Sequence, residues 1–123
     1  ENSEPITQRE LNDFEKFVDK LFAAINIDVE FTKHFLERLN DERNKKQITI
    51  EELTQLFNKH FKENKEIIKM FPEDFEAVLV DLQSNINIPV VMNFDRKSDT
   101  MEMVTKTIMR KKNFLSYPPK YEV

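Results

Sequence analysis

Glycine and cysteine are both absent from the 123 residues of this chain. Without glycine it cannot build a P-loop, a dinucleotide-binding fingerprint or an EF-hand loop, each of which turns on a residue with no Cβ. Without cysteine there is no disulfide framework, no thiolate zinc site and no cysteine nucleophile. Histidine is scarce, at 2 residues, and neither falls in an HExxH or a two-His-one-carboxylate spacing. No serine-nucleophile signature is present. No apolar run approaches the roughly 18 residues that cross a bilayer, and no charged-then-apolar signal segment opens the chain. The expectation is a soluble protein of a cell interior or a virus particle, not carried out by a signal peptide. No cofactor, metal or membrane contact is expected.

What is present points to one domain spanning 1–123, with 1–6 and 115–123 as flexible or extended tails. Hydrophobic residues make up 39% and include 11 Phe, so the core should be built on aromatic rings. Charged residues reach 34% and the net charge is −4. The charge is uneven: residues 1–44 carry 6 basic and 11 acidic side chains, whereas 83–123 carry 7 and 4. A globally acidic chain does not coat double-stranded DNA by counterion release. The basic run Arg110-Lys111-Lys112 is left as a local patch, read first as a soluble strand end.

Two capping boxes mark helix starts, Thr7 with Glu10 and Thr49 with Glu52. From the first, Leu11, Phe14, Phe17, Val18, Leu21, Phe22 and Ile25 recur at helical spacing up to Asn26, a C-cap without glycine. Phe31, Phe35, Leu36 and Leu39 predict a second helix from Asp28 to about Asn44. Leu53, Leu56, Phe57 and Phe61 define a third, reaching toward Met70. Pro72 suits the first turn of a fourth, to Leu82. Near position 85 the period changes to two. Ile86 to Phe94 and Met101 to Arg110 alternate as strands around the polar turn 95–99, and Pro89 places the first at an edge. The fold expected is α+β: about four N-terminal helices packed with a small C-terminal antiparallel hairpin.

On a second helix of that length, Glu30, His34 and Arg38 share one face, setting an acid–base group beside a phosphate-binding guanidinium. Against this stands an ordinary charged ladder on an exposed helix. His60 reads as a rim residue of the third helix. Glu51-Glu52, Glu73-Asp74 and Asp95 with Asp99 are explained by helix N-termini and turns rather than by a metal. Thr105 and Thr107 share a strand face, as β-branched strand residues do.

The run His34-Phe35-Leu36-Glu37-Arg38, then Arg43, Ile48-Thr49 and Glu52-Leu53, resembles the helical opening of small RelE-like and barnase/colicin-type ribonuclease domains. Val90 to Phe94 and Val104 to Arg110 are similar to their sheet strands. The likeness covers 31–53 and 86–114. The stretch 54–85 is longer than the usual connection, and those toxins are commonly basic. The run Met109 to Phe114 also resembles small proteins of tailed phages. The ribonuclease likeness implies a metal-independent endoribonuclease: His34 or a nearby carboxylate takes the ribose 2′-hydroxyl proton. Arg38 and Arg43 then stabilise the phosphorane with Lys106 or Arg110, and Thr105 and Thr107 bond phosphate. The phage likeness implies a non-catalytic protein of a virion or host cytoplasm that binds a protein partner through its acidic helical face or hairpin edge. The second is the first expectation, with RNA as substrate only under the alternative. Convergence of His34, Arg38 and Arg43 with Lys106 or Arg110 on one concave surface separates the two.

Overall fold

The computed structural model describes residues 4–123, so the first half of the expected tail 1–6 lies outside it. The fold is α+β, with three helices packed on a mixed six-stranded sheet. The helices are α1 (Gln8–Phe22), α2 (Lys33–Leu39) and α3 (Ile50–Ile68). The strands are β1 (Ile27–Phe31), β2 (Glu76–Asp81), β3 (Ile86–Asp95), β4 (Thr100–Thr105), β5 (Met109–Arg110) and β6 (Lys120–Glu122). The sheet runs β1-β4-β3-β2-β6, and β5 also pairs with β3. β1 is parallel to β4 and β6 to β2; the other pairings are antiparallel. No helix among the described residues is long and apolar enough to cross a membrane.

Both capping boxes form: Thr7 and Glu10 satisfy each other's amides, as do Thr49 and Glu52. After α1 a 3-10 turn ends on Asn26 in the left-handed region, at φ 59°. In the absence of glycine, the left-handed positions fall to Asn26, Asp74, Asn85, Asp99 and Asn113, and to one Lys, Lys45. Asn and Asp tolerate that conformation because their short side chains bond locally. Lys45 has no such excuse.

The helix expected from Asp28 to Asn44 is instead a strand and a short helix. Ile27 and Val29 face the core while Asp28 and Glu30 do not, a period of two. Thr32 then caps α2, its Oγ1 accepting from Phe35 N at 3.1 Å. Phe31, Phe35 and Leu39 carry helical spacing across that boundary and so conceal it. The fourth helix is also a strand. Ala77, Val78, Leu79 and Val80 are all buried, because β2 lies between β3 and β6 and carries no alternation to read. Within the expected tail 115–123 the chain is extended and forms strand β6 at 120–122.

The expected core of rings is present. Phe14, Phe22, Phe31, Phe35, Phe57 and Phe61 join α1, β1, α2 and α3, with Phe31–Phe35 centroids 4.8 Å apart and Phe22–Phe61 5.4 Å. His60 is no rim residue: it is 0% exposed. Its Nε2–H donates to the Val80 carbonyl at 3.0 Å, and Nδ1 accepts from Asn64 Nδ2 at 3.0 Å. Burial pushes its pKa down to about 4, so a neutral imidazole ties α3 to β2.

Pro89 sits in the interior strand β3, not at an edge. Its missing N–H faces Lys106, whose own N–H bonds the Pro89 carbonyl at 3.0 Å. A complete antiparallel pair would return a bond to the Lys106 carbonyl, and proline cannot make it. The ladder breaks there, so the strand expected over 101–110 is two strands separated by residues 106–108.

Candidate functional site

That break helps form a cleft of about 820 Å³ between α2, the loop after it and the 107–112 segment. The Lys106 carbonyl left free by Pro89 accepts from Thr32 Oγ1 at 3.1 Å, and Thr32 N bonds the Thr105 carbonyl. The N-cap of α2 is thereby fastened to the sheet, and α2 presents His34 and Arg38 to the cleft. Thr107 lines the opposite wall, where the chain leaves the ladder.

His34, Arg38, Arg43 and Arg110 all line this one cleft, with Lys45, Lys46, Lys111 and Lys112; Asp41 is its sole acidic residue among those described. A strongly cationic concavity therefore lies on a chain of net charge −4. Arg38 Nε donates to His34 Nε2 at 3.1 Å. His34 Nδ1 faces Glu37 Oε1 at 3.4 Å, with both side chains more than half exposed. This places a proton on Nδ1 and the acceptor lone pair on Nε2.

Asp41 organises the guanidinium groups. Its Oδ2 pairs with Arg38 Nη1 at 3.3 Å and with Arg43 Nη2 at 2.8 Å, while Oδ1 caps the following turn through Arg43 N at 2.8 Å. Asn44, 4% exposed, donates to the Arg38 carbonyl at 2.8 Å and accepts from Arg110 N at 2.9 Å. It joins the helix side of the cleft to the strand side. The left-handed Lys45, at φ 67°, follows at once. For a residue with a Cβ this costs about 1–2 kcal/mol, and such strain gathers where a backbone must hold a functional shape.

Four of the expected residues do not serve as expected. Arg110 points into the protein, its Nη2 and Nη1 on Glu52 Oε1 and Oε2 at 2.9 and 3.0 Å. Further bonds reach the carbonyls of Lys46, Gln47 and Ser84. It builds the cleft wall and has no free fork for a phosphate. Lys106 does not line the cleft, although its backbone fixes α2. Thr105 is fully buried, with Oγ1 given to the Glu30 carbonyl at 2.7 Å, which leaves Thr107 alone of that pair. Glu30 lies on β1 and not on the His34 helix, so the three-residue face reduces to His34 and Arg38. Asp41, Asn44, Lys45 and Lys46 were missed as site residues. The only local signal was the Asp41-x-Arg43 turn after the helix.

A second cluster escaped the sequence altogether. Asp28, Glu30 and Glu102 on adjacent strands bring carboxylate oxygens within 4.8 Å of one another, with Glu15 and Asp19 of α1 beside them. Asp19 accepts from Val29 N at 2.7 Å and so closes the free edge of β1. Burial, reinforced by Asp28, raises Glu30 to about 7. Burial also raises Asp19 to about 6, against the bond from Val29 N. The cluster answers its own repulsion by holding protons. Comparison with protein-family models, with curated proteins and with solved structures found no match for this chain.

Proposed function

We propose that the chain is a small endoribonuclease, with His34, Arg38 and Arg43 at the reacting phosphate. The observation that carries this reading is the convergence of those three side chains in one cationic cleft beside Thr107. A helix face turned away to bulk solvent would have removed it, and the face is not turned away.

In the proposed reaction a phosphodiester enters the cleft and draws the Arg38 guanidinium to its non-bridging oxygens. That frees His34 Nε2, which takes the 2′-hydroxyl proton while Glu37 steadies the ring through Nδ1. The O2′–P bond forms as the P–O5′ bond breaks, leaving a 2′,3′-cyclic phosphate. The departing 5′ oxygen takes its proton from solvent in the open cleft. Arg38 and Arg43, held in place by Asp41, stabilise the charge that builds on the phosphorane, and Thr107 offers a hydroxyl to the same group. Binding to a protein partner without catalysis uses none of this geometry.

The test incubates the protein with total RNA and with a labelled oligoribonucleotide in EDTA, beside His34→Ala and Arg38→Ala. Cleavage leaving cyclic-phosphate and 5′-hydroxyl ends is expected, and loss of the acid–base group should slow it about 10²–10⁴-fold. Intact RNA at stoichiometric protein, or cleavage indifferent to both substitutions, overturns the reading and leaves the protein-binding role.

A further inference from the structure

The cleft wall ends at Lys112, and the chain runs on from it into an extended segment. Between Glu102 and Glu122 the sequence has no acidic residue and five basic ones, Lys106, Arg110, Lys111, Lys112 and Lys120. Within that stretch Leu115 is 89% exposed and Tyr117 104%, whereas Phe114, Ser116 and Pro118 are half-buried. Side chains thus alternate along an extended segment, with Leu115 and Tyr117 turned outward and Phe114 turned in.

The segment is fixed at both ends. Lys111 N bonds the Asn85 carbonyl at 2.8 Å, and Val78 N bonds the Pro119 carbonyl at 2.9 Å, where β6 begins. Between them Lys120 Nζ reaches the Phe114 carbonyl and Ser116 Oγ the Pro118 carbonyl, each at 2.8 Å. Tyr117 therefore stands on anchored backbone, and its exposure is not that of a fraying end. Nearly all the other rings are packed in the protein, with Tyr121 against Phe71 at 5.2 Å.

We infer that the 112–117 segment is a stacking platform for single-stranded RNA leading into the cleft, with Tyr117 bearing on a base and Lys111 and Lys112 on the phosphates between. This rests on the RNA reading of the cleft. Tyr117 lies five residue steps beyond Lys112, about 17 Å at full extension, so the platform serves nucleotides flanking the scissile bond. Proteins that hold single strands combine a basic track with exposed rings, because every base has a face to stack. The choice of RNA over a protein occupant rests on charge, since Lys111 and Lys112 at the start of the segment line the cationic cleft itself and no acidic residue lies between Glu102 and Glu122.

The test measures fluorescence anisotropy with a labelled 12-nucleotide single strand in which every ribose is 2′-O-methylated, so that it binds without being cut. Tyr117→Ala should weaken binding about tenfold, in the lower half of the range for one lost stacked base, and Tyr117→Phe should restore it. A duplex of the same length should not respond to Tyr117→Ala. Equal binding by Tyr117→Ala and wild type overturns the platform, as does equal sensitivity of the duplex. If that occurs while Arg38→Ala and Arg43→Ala still weaken binding, the cleft reading stands and the platform alone falls. If wild type does not bind the strand, both fall.

Discussion

Arg110→Ala should damage the fold before it touches any chemistry. The guanidinium is 14% exposed and its partner Glu52 is 23% exposed. Its bonds join β5 to the N-terminus of α3 and to the carbonyls of Lys46, Gln47 and Ser84. Removing one member of a fully buried pair costs about 3–5 kcal/mol. Partial exposure lets water reach Glu52 and brings the expectation to about 2–3 kcal/mol. Unfolding entropy of roughly 2.1 cal/mol/K per residue converts that to a Tm about 8–12 °C lower for a chain of this length. The pH dependence supplies a second readout. Burial pushes the Glu52 pKa up, but the bonds from Arg110 and Thr49 outweigh it and leave it below its ordinary 4.5. A depressed carboxyl contributes stability that is present above the unfolded value and lost as pH falls through the folded one. The Tm gap between wild type and Arg110→Ala should therefore narrow below pH 4.5. Arg110→Lys should fall between the two, since an ammonium keeps the charge without the fork. Thermal melts by circular dichroism across pH 3–8 decide it. A loss under about 3 °C, or a gap that does not narrow in acid, would refute the account of Arg110 as the clamp of the cleft wall.

Four other outcomes follow from the same geometry. The raised carboxyls Glu30 and Asp19 contribute stability that is present below their unfolded values and lost as pH rises through about 6 to 7, so Glu30→Gln should raise Tm at pH 8 and do little at pH 5. Because both groups keep partial exposure to water, a shift of only a few degrees is expected, and a lower Tm at pH 8 would contradict the crowding argument. His60 is depressed, so its contribution is lost as pH falls from 6.5 through about 4; His60→Leu should flatten that part of a Tm–pH curve and cost about 1–3 kcal/mol at pH 7 for the unpaired Val80 carbonyl. Asn44→Ala strands the Arg110 amide and takes one donor from the Arg38 carbonyl, which Asp41 N still bonds, and should cost about 2 kcal/mol in urea melts. Thr32→Ala and Thr7→Ala each remove a helix cap worth about 1 kcal/mol, but only Thr32→Ala should weaken RNA binding; equal RNA affinity in the two variants counts against Thr32 as the fastening of α2.

What the sequence made legible is what local interactions decide. Thr7 with Glu10 and Thr49 with Glu52 announce two helices because a capping box is complete within four residues. The 86–105 hairpin is legible because its strands alternate around a five-residue polar turn. β1 and β2 hide for opposite reasons. β1 is five residues long, and its last ring falls in step with those of α2. β2 is buried on both faces, so Phe75, Val78, Leu79 and Leu82 meet helical spacing by coincidence. The acidic cluster was out of reach, since Glu15, Asp28 and Glu102 meet only once β1 lies between α1 and β4. At the cleft, residue types were legible and roles were not. Arg38 and Arg110 are the same side chain in sequence, and only the Glu52 carboxylate across the fold turns one of them inward.

The placement of His34 then traces to a single missing hydrogen. Pro89 has no N–H, so in its pair with Lys106 one acceptor goes unused and the ladder lapses for three residues. The unused acceptor is the carbonyl that Thr32 bonds, and the lapse turns Thr107 into the cleft. Both walls of the site therefore depend on one residue that sequence reasoning took as evidence of a sheet edge. An interior proline is costly in a strand, and here its cost falls where an unpaired carbonyl and a break in the ladder position a helix. The same logic covers Lys45: in a chain without glycine, a left-handed lysine persists because Asn44 and Asp41 on its N-terminal side hold the turn against both walls. The site is cut from the places where the regular elements fail, which is why periodicity could find the elements and not the cleft.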